Sequence, residues 1–135
     1  MKKGNKLKRV LLSGLVVIVI IVGIFFIGLQ MKLKEISSQI NNIDIEDIDI
    51  TNVEDGVYKG EYYMDDLIGA SIEVMVENNK IKSIDFLDHK YGKGQKAEAI
   101  IDTVIERQSL EVDAIAGATG SSITILKAIE NALIN

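Results

Sequence analysis

The sequence predicts an α+β fold, in which a small antiparallel sheet packs with two helices and one N-terminal transmembrane helix precedes them. Three observations predict it. Residues 10–29 contain no charged side chain. Segments 70–77 and 80–87 alternate apolar and polar residues with a period of two, which is typical of strands. Segments 97–106 and 122–134 carry their apolar residues at helical spacing.

The uncharged run at residues 10–29 is long enough to cross a bilayer, because twenty helical residues span about 30 Å. Its N-terminal flank holds five basic residues and its C-terminal flank two, so the positive-inside rule places residues 1–9 in the cytoplasm. A cleaved signal peptide has the same basic start, but no small-x-small cleavage site follows the run. We therefore expect an uncleaved, single-pass anchor in the cell membrane and an extracytoplasmic C-terminal domain. The basic residues are Lys2, Lys3, Lys6, Lys8, Arg9, Lys32 and Lys34.

Charge and composition exclude several classes of function. All 20 acidic residues lie from Glu35 onward, against 8 basic ones, so this part of the chain has a net charge of −12. Such a charge repels phosphate backbones and excludes nucleic acid as a partner. The chain has no cysteine and a single histidine, so no disulfide framework and no multi-histidine zinc site is expected.

Residues 30–55 are predicted to connect the anchor to the domain. Residues 30–42 continue the membrane helix for a few turns. In residues 43–55 isoleucine alternates with acidic residues, which favours a strand, but the acids repel one another. The prediction is an acidic stalk that adds an edge strand; a solvated linker is the alternative.

The folded domain is predicted at residues 56–135. Segment 57–63 is a short strand in which Gly60 marks a bulge. Asn78 and Asn79 tolerate positive φ and form the turn of a hairpin between segments 70–77 and 80–87. A glycine-containing loop leads to the helix 97–106. A short extended segment, 110–115, and a turn of small residues then precede the last helix.

The turn before the last helix has the composition of a phosphate site. Residues 113–122 read DAIAGATGSS. Small residues allow close approach to the backbone, and a helix N-terminus offers free N–H groups and positive potential. Ser121 or Ser122 is the expected N-cap. Thr119 adds a hydroxyl that can bind a phosphate or be esterified to it. An ordinary helix N-terminus explains the same residues equally well on physical grounds alone.

Three blocks of this sequence resemble the FMN-binding domain family, which includes subunits of the sodium-pumping NADH:quinone oxidoreductase and of the Rnf complex. They are DGVYKGEY (55–62), HKYGKGQKAEAI (89–100) and QSLEVDAIAGAT (108–119), in the family's order. Within the last block, Asp113, Gly117, Ala118 and Thr119 match the family's attachment motif, Asp-x-x-(Ser/Thr)-Gly-Ala-(Thr/Ser).

The resemblance implies that a flavin transferase, with FAD as donor, esterifies the FMN phosphate to Thr119. Ala116 departs from the family, which usually has Ser or Thr there, and this puts the covalent link in more doubt than FMN binding. The expected cofactor-binding residues are Asp113, Gly117, Ala118, Thr119, Gly120, Ser121, Ser122, His89, Gly92 and Gly94.

The second block is expected to contact the flavin ring. Gly92 and Gly94 allow close approach of a flat ring, and His89 and Tyr91 can reach its edge or face. Lys90 or Lys93 can offset the negative charge of the flavin. A solvated strand-to-helix loop is the plain alternative, and a dinucleotide fingerprint at Gly92-x-Gly94-x-x-Ala97 is a weak one.

Two groups in the first block have plain interpretations. Glu61, Asp65 and Asp66 resemble paired carboxylates, but a solvated turn explains them. Tyr58, Tyr62 and Tyr63 are expected in core or edge packing, and the alternative is that one of them lines the flavin pocket.

The sequence and the resemblance together predict a membrane-anchored, extracytoplasmic flavoprotein that relays electrons, rather than a stand-alone enzyme. No catalytic residue and no metal site is predicted. The expected partners are the membrane, a flavin transferase, and a membrane dehydrogenase or quinone as electron donor. The alternatives are an accessory subunit of a larger redox complex, a flavin reductase, and a non-redox binding module that has lost its flavin.

Overall fold

The computed structural model describes residues 3–64 and 66–134, with the side chains of residues 3–5, 7, 36, 37 and 41 left aside. Lys2 of the basic tail and Asp65 of the acidic turn therefore lie outside the described residues. The chain divides into two compact units, residues 1–41 and residues 42–135.

The first unit is one long helix, α1, at Lys3–Asn41. Every large apolar side chain from Val10 to Leu29 is exposed. Its segment Lys8–Ile40 is long and apolar enough to cross a membrane. A long apolar helix suits a hydrocarbon solvent, because the backbone groups along its length are bonded within the helix. The single N-terminal apolar helix thus indicates a single-pass membrane anchor, and α1 continues beyond the bilayer run as predicted.

The second unit contains a three-stranded antiparallel meander in the order β1-β2-β3. The strands are β1 at Gly56–Tyr63, β2 at Gly69–Val76 and β3 at Ile81–Lys90. Asn78 and Asn79 both have positive φ, 54° and 56°. Two successive left-handed residues form the tight turn whose twist matches a hairpin. The predicted hairpin and its turn are confirmed.

Two helices complete the unit: α2 at Ile100–Arg107 and α3 at Thr119–Ile134. A 3₁₀ helix, Gln95–Ala99, leads directly into α2. α3 lies across β1 and β2. Alternate residues of β2 face α3 and are fully buried or nearly so, which explains the period-two pattern. The largest fully buried apolar side chains are Ile72, Val74, Val76, Ile81, Ile100, Val104, Ile125 and Ile129.

Gly60 does not mark a bulge, because β1 pairs with β2 in continuous register. It is instead the point where α3 comes closest to the sheet. A Cβ atom added there would lie 2.2 Å from the carbonyl oxygen of Ala128 and 2.3 Å from the amide nitrogen of Ala132. Only a residue without a side chain fits between β1 and the α3 backbone.

The segment 110–115 is not a strand, so the sheet of the described residues has three strands. Gln108 takes the place that a neighbouring strand would have at the start of β3. Its amide accepts a hydrogen bond from the Ile81 N–H at 2.7 Å and donates one to the Ile81 carbonyl at 2.9 Å. Both backbone groups of Ile81 are thereby satisfied without a fourth strand.

The acidic segment, residues 43–55, packs on the domain and forms neither an edge strand nor a solvated linker. Ile50 is buried, and Ile45, Ile48 and Val53 pack against the core. The Asp47 carboxylate accepts hydrogen bonds from the Ser109 hydroxyl at 3.0 Å and from the Leu110 N–H at 2.8 Å. The alternating isoleucines thus pack on the core of the second unit. The Asp47 carboxylate accepts hydrogen bonds from Ser109 and Leu110, which lie outside the sheet.

Asp47→Ala is expected to lower the stability of the second unit by about 1–2 kcal/mol, because the Leu110 N–H loses a charged acceptor. Circular dichroism of the full chain in detergent should show the unfolding midpoint about 5–10 °C lower. Asp44→Ala is the matched control: Lys127 binds the backbone oxygen of Asp44, which the substitution keeps. Equal midpoints for both variants would contradict the packing of this segment on the domain.

Candidate functional site

The turn of small residues before α3 presents Thr119 to solvent. α3 begins at Thr119 itself, whose side chain is exposed. Gly117 has a φ of +75°, which L side chains rarely adopt. The first N–H groups of a helix have no partner within the helix, so they face whatever binds at its start. An exposed hydroxyl thus stands at the positive end of a 16-residue helix.

Ser121 and Ser122 are not the N-cap, because the helix begins at Thr119, three residues earlier than predicted. Both lie buried in its first turn. The Ser122 hydroxyl accepts a hydrogen bond from the Ile115 N–H and donates one to the Ala118 carbonyl, each at 3.0 Å. These bonds connect the two ends of the turn, Ile115 and Ala118, through a buried side chain of α3. Their role in the structure is to hold the backbone around Thr119 in place.

The second predicted block lies against this turn. The Ser121 hydroxyl donates to the Tyr91 carbonyl at 3.3 Å. A Cβ atom added at Gly94 would lie 2.2 Å from the Ser121 hydroxyl and 2.9 Å from its Cβ atom. Gly94 is therefore needed for the loop to meet α3. Glycine is favoured at position 92 for a different reason, which is its backbone conformation. Its φ is +54°, and an added Cβ atom would meet only the Leu67 carbonyl oxygen, at 3.9 Å.

Lys96 is the lysine that reaches the turn, and the sequence did not single it out. A Cβ atom added at Gly117 would lie 2.9 Å from the Lys96 Nζ atom. The predicted Lys90 lies elsewhere, with its ammonium 5.3 Å from the centre of the Tyr63 ring. Lys96 follows Gly94 by two residues in the same block, and that proximity is the one signal in the sequence that points to it.

His89 lies at the end of β3 with its side chain only 4% exposed. Its Nδ1 atom is 2.9 Å from the Glu98 carboxylate, and its ring stacks on Phe86 at 4.7 Å between centroids. Tyr91 meets the same ring edge-on at 5.2 Å. His89 is therefore not a solvated loop residue, the plain alternative for this position.

The remaining predicted residues occupy different environments. Asp113 is exposed, Gly120 is half-buried in the first turn of α3, and Ala118 is buried. Ala118 donates its N–H to the Ile115 carbonyl at 2.9 Å, which closes the turn before α3. Asp113 lies in the loop that leads into this turn.

The tyrosines of β1 divide between the two faces of the sheet. Tyr58 and Tyr62 pack against the core, as predicted. Tyr63 faces outward and donates to the Asp88 carboxylate at 2.8 Å. The pKa of Tyr63 is raised to about 12. The largest cause is partial desolvation, and the hydrogen bond to Asp88 and the negative charges of Asp88 and Glu61 add to it. Tyr63 is therefore a neutral hydrogen-bond donor at physiological pH.

A dinucleotide-binding arrangement does not fit the described residues. The strand before Gly92 belongs to an antiparallel meander, whereas the dinucleotide fingerprint requires a parallel βαβ unit. What the structure brings together is the start of α3, the loop 91–94 and the 3₁₀ helix that carries Lys96. This arrangement offers a hydroxyl, a cation and a small-residue cradle at one helix N-terminus, which suits a phosphate.

Comparison with known proteins gives one positive finding. The sequence model of the FMN-binding domain family matches residues 64–134. The match indicates FMN as the cofactor. No curated protein and no solved structure gives a match. The matched region contains β2, β3, α2, α3 and the turn before Thr119, so it covers all the residues of the candidate site.

Proposed function

This chain belongs to the FMN-binding domain family, and we propose that it is a membrane-anchored, extracytoplasmic electron carrier whose FMN is esterified to Thr119. The observation that carries the proposal is the exposed Thr119 hydroxyl at the first residue of α3. Because Gly117 has no side chain, the Lys96 ammonium can lie against the turn, where it supplies a positive charge. FMN, when bound, supplies one- and two-electron redox chemistry that no side chain of this protein offers.

The residues around the turn fit the phosphate end of FMN. The first N–H groups of α3 and the Lys96 ammonium would hold the phosphate oxygens, and the lack of a side chain at position 117 lets this ammonium lie against the turn. The rest of the unit is strongly acidic, so a local cation is needed to offset the charge of the ligand. Asp113 lies outside the turn, and we assign it to recognition by the transferase.

The covalent link would form in one substitution reaction at phosphorus, with FAD as the donor and AMP as the leaving group. A bond forms between the Thr119 Oγ1 atom and the phosphorus on the flavin side of FAD, the pyrophosphate bond breaks, and AMP leaves. The hydroxyl proton passes to a base of the flavin transferase, and no atom changes oxidation state. An exposed threonine on a turn can enter the active site of another enzyme, which a buried one cannot.

The proposal is tested by making the full chain together with a flavin transferase. The purified protein should show the visible absorbance of oxidised flavin, lose it on reduction with dithionite, and regain it when a quinone is added. A colourless protein would favour the non-redox binding module. A coloured protein that purifies in a stable larger complex would favour the accessory subunit, and one that oxidises a nicotinamide unaided would favour a flavin reductase.

Lys96→Gln is expected to weaken the binding of free FMN about tenfold, because the phosphate loses a charge-assisted hydrogen bond. The measurement is fluorescence titration of the Thr119→Ala chain, which excludes covalent uptake, with and without Lys96→Gln. Lys82→Gln changes the net charge equally at an exposed position near the start of β3, away from the loop 91–94, and serves as the control. If both lysine substitutions weaken binding alike, the effect comes from net charge and not from a contact at the turn.

The anchor supports the cellular part of the proposal. The basic residues before the apolar run orient its N-terminus toward the cytoplasm, and the FMN-binding family is typically extracytoplasmic. A tether also confines the flavin to the membrane surface, where the effective concentration of membrane dehydrogenases and quinones is high. We propose these as the electron donors.

Protease added to cells without their wall is expected to degrade residues 42–135 while the membrane remains intact. Immunoblotting against a tag at each terminus reports the result, with a cytoplasmic protein as the control for leakage. Protection of the C-terminal tag until detergent is added would reverse the proposed orientation.

A further inference from the structure

The buried side chain of His89 has one ring nitrogen that is paired and one that is not. Its Nδ1 atom is paired with the Glu98 carboxylate at 2.9 Å. Its Nε2 atom is also buried, yet it has no hydrogen-bond partner among the residues that the structure describes. Buried polar atoms in proteins are nearly always paired, so an unpaired one is a candidate for pairing with a bound molecule.

Glu98 determines what the free nitrogen can do. An ionised carboxylate only accepts hydrogen bonds, so the proton of a neutral imidazole lies on Nδ1. Nε2 then carries a lone pair and is an acceptor. A ligand that pairs with it must provide an N–H or O–H donor.

The imidazole cannot turn away to find another partner. Phe86 stacks on one face with an interplanar angle of 10°, and Tyr91 contacts the ring edge-on. The pair with Glu98 fixes the remaining direction. The free Nε2 atom is thus held in a defined place, which is what a positioned binding group requires.

The His89–Glu98 pair belongs to the same segments as the proposed phosphate site. Glu98 lies in the 3₁₀ helix Gln95–Ala99, whose Lys96 rests against Gly117. The loop that follows His89 packs on the first turn of α3 through Tyr91 and Gly94. The loop 91–94 therefore connects the His89–Glu98 pair to the start of α3, where the phosphate is proposed to bind.

We propose that the Nε2 atom of His89 accepts a hydrogen bond from the N3–H group of the bound flavin ring, with Glu98 as the positioning residue. This inference rests on the proposed function. FMN carries two kinds of donor, the ribityl hydroxyls and N3–H, which is the one N–H of the oxidised ring system. We choose N3–H because the stacked Phe86 and the edge-on Tyr91 surround His89 with aromatic rings, which suit a flat ring better than a polar ribityl chain. The pair would orient the ring after the phosphate is held at Thr119.

The single histidine makes the test direct. The full chain is made with [15N]histidine and measured by NMR in detergent micelles, first without flavin and then loaded by a flavin transferase or by added FMN. We expect Nδ1 to be protonated in both states and the Nε2 signal to move more than the Nδ1 signal on loading. A water molecule in that position would leave the Nε2 signal unchanged in the loaded protein, and this result overturns the inference.

Substitutions give a second measurement. His89→Phe keeps a flat ring against Phe86 but removes the acceptor, and we expect the dissociation constant of FMN to rise about tenfold. His89→Gln places an amide oxygen near the Nε2 position and should restore the affinity to within about threefold. Glu106→Gln, on the exposed side of α2, is the control. Equal affinity of the Phe and Gln variants overturns the inference.

The outcomes separate the inference from the proposed function. A wild-type chain that takes up no flavin by either route overturns both. If added FMN binds but the transferase attaches none, the covalent part of the proposed function fails, and the Nε2 signal still decides the role of His89. If flavin is attached at Thr119 and the Nε2 signal does not move, only the inference fails.

Discussion

The Thr119→Ala chain, made together with a flavin transferase, is expected to show no flavin fluorescence in a denaturing gel, whereas the wild-type chain fluoresces. The gel removes every flavin that is not covalently bound. Thr119 is the exposed hydroxyl at the first residue of α3, so its loss removes the one atom that we assign as the tether. The expected effect is complete, because a methyl group cannot form a phosphoester.

Two variants make this result specific. Thr119→Ser keeps a hydroxyl on the same turn and should keep the fluorescence. Thr124→Val removes a hydroxyl from the same helix, but one that is fully buried and donates to the Ser121 carbonyl at 2.9 Å. It should remain labelled at the wild-type level. A fluorescent Thr119→Ala chain would show that Thr119 is not the tether. An unlabelled but folded Thr124→Val chain would show that the loss of label is not specific to Thr119.

The departure at position 116 can be tested in the same gel. Ala116 is exposed three residues before Thr119. If the hydroxyl that relatives have at this position assists the transferase, Ala116→Ser should raise the labelled fraction at short reaction times. Equal rates would show that the turn, rather than this hydroxyl, is what the transferase recognises.

Local patterns predicted the elements of this fold because each pattern reflects a nearby cause. β2 and β3 alternate because one face of each packs on the core, and the Asn78-Asn79 turn follows from the tolerance of asparagine for positive φ. The membrane helix needs no partner from the rest of the chain to satisfy its backbone. None of these features depends on contacts between distant residues.

The acidic segment could not be predicted because its contacts join residues about 60 positions apart. Asp47 accepts hydrogen bonds from Ser109 and from the Leu110 N–H. No local pattern reveals that this N–H takes its acceptor from a side chain rather than from a neighbouring strand. The charge of the segment suggested repulsion and solvation. In the structure, the isoleucines between the acids supply the apolar contact, and the acids stay at the surface or bind donors.

The sequence and the resemblance named the residues of the candidate site, but not the residues that hold them in place. The resemblance supplied Thr119 and the small residues before it, and the match at residues 64–134 confirms the family. It gave no indication that Ser121 and Ser122 lie behind the turn, or that Lys96 lies in front of it. These positions depend on how the loop 91–94 meets α3, which is a matter of tertiary packing.

Gly60→Ala is expected to lower the stability of the second unit by about 3 kcal/mol, the upper end of the usual cost of overpacking. The added methyl group would meet the Ala128 carbonyl oxygen, the Ala132 amide nitrogen and the Ala132 Cα atom, all within 2.7 Å. These are backbone atoms of a regular helix, so no side-chain rotation relieves the contact. α3 must move away from β1 as a whole, and the apolar contacts between them weaken.

The measurement is thermal unfolding of the full chain in detergent, followed by circular dichroism. A loss of about 3 kcal/mol in a domain of this size lowers the midpoint by about 15 °C. Gly56→Ala is the matched control in the same strand, because its added Cβ atom meets only the Tyr58 side chain at 3.4–3.5 Å, an ordinary contact. Its midpoint should stay within about 2 °C of wild type.

Gly60 also connects the sheet to the candidate flavin site. α3 carries Thr119 at its start and Ala128 and Ala132 farther along, so a helix displaced from β1 also displaces the turn against which Gly94 and Lys96 pack. Below its lowered midpoint, the Gly60→Ala chain should therefore also be labelled more slowly by the transferase. An unchanged midpoint would show that α3 does not approach β1 at Gly60. A lowered midpoint with an unchanged labelling rate would show that the start of α3 is held by the loop 91–94 independently of the sheet.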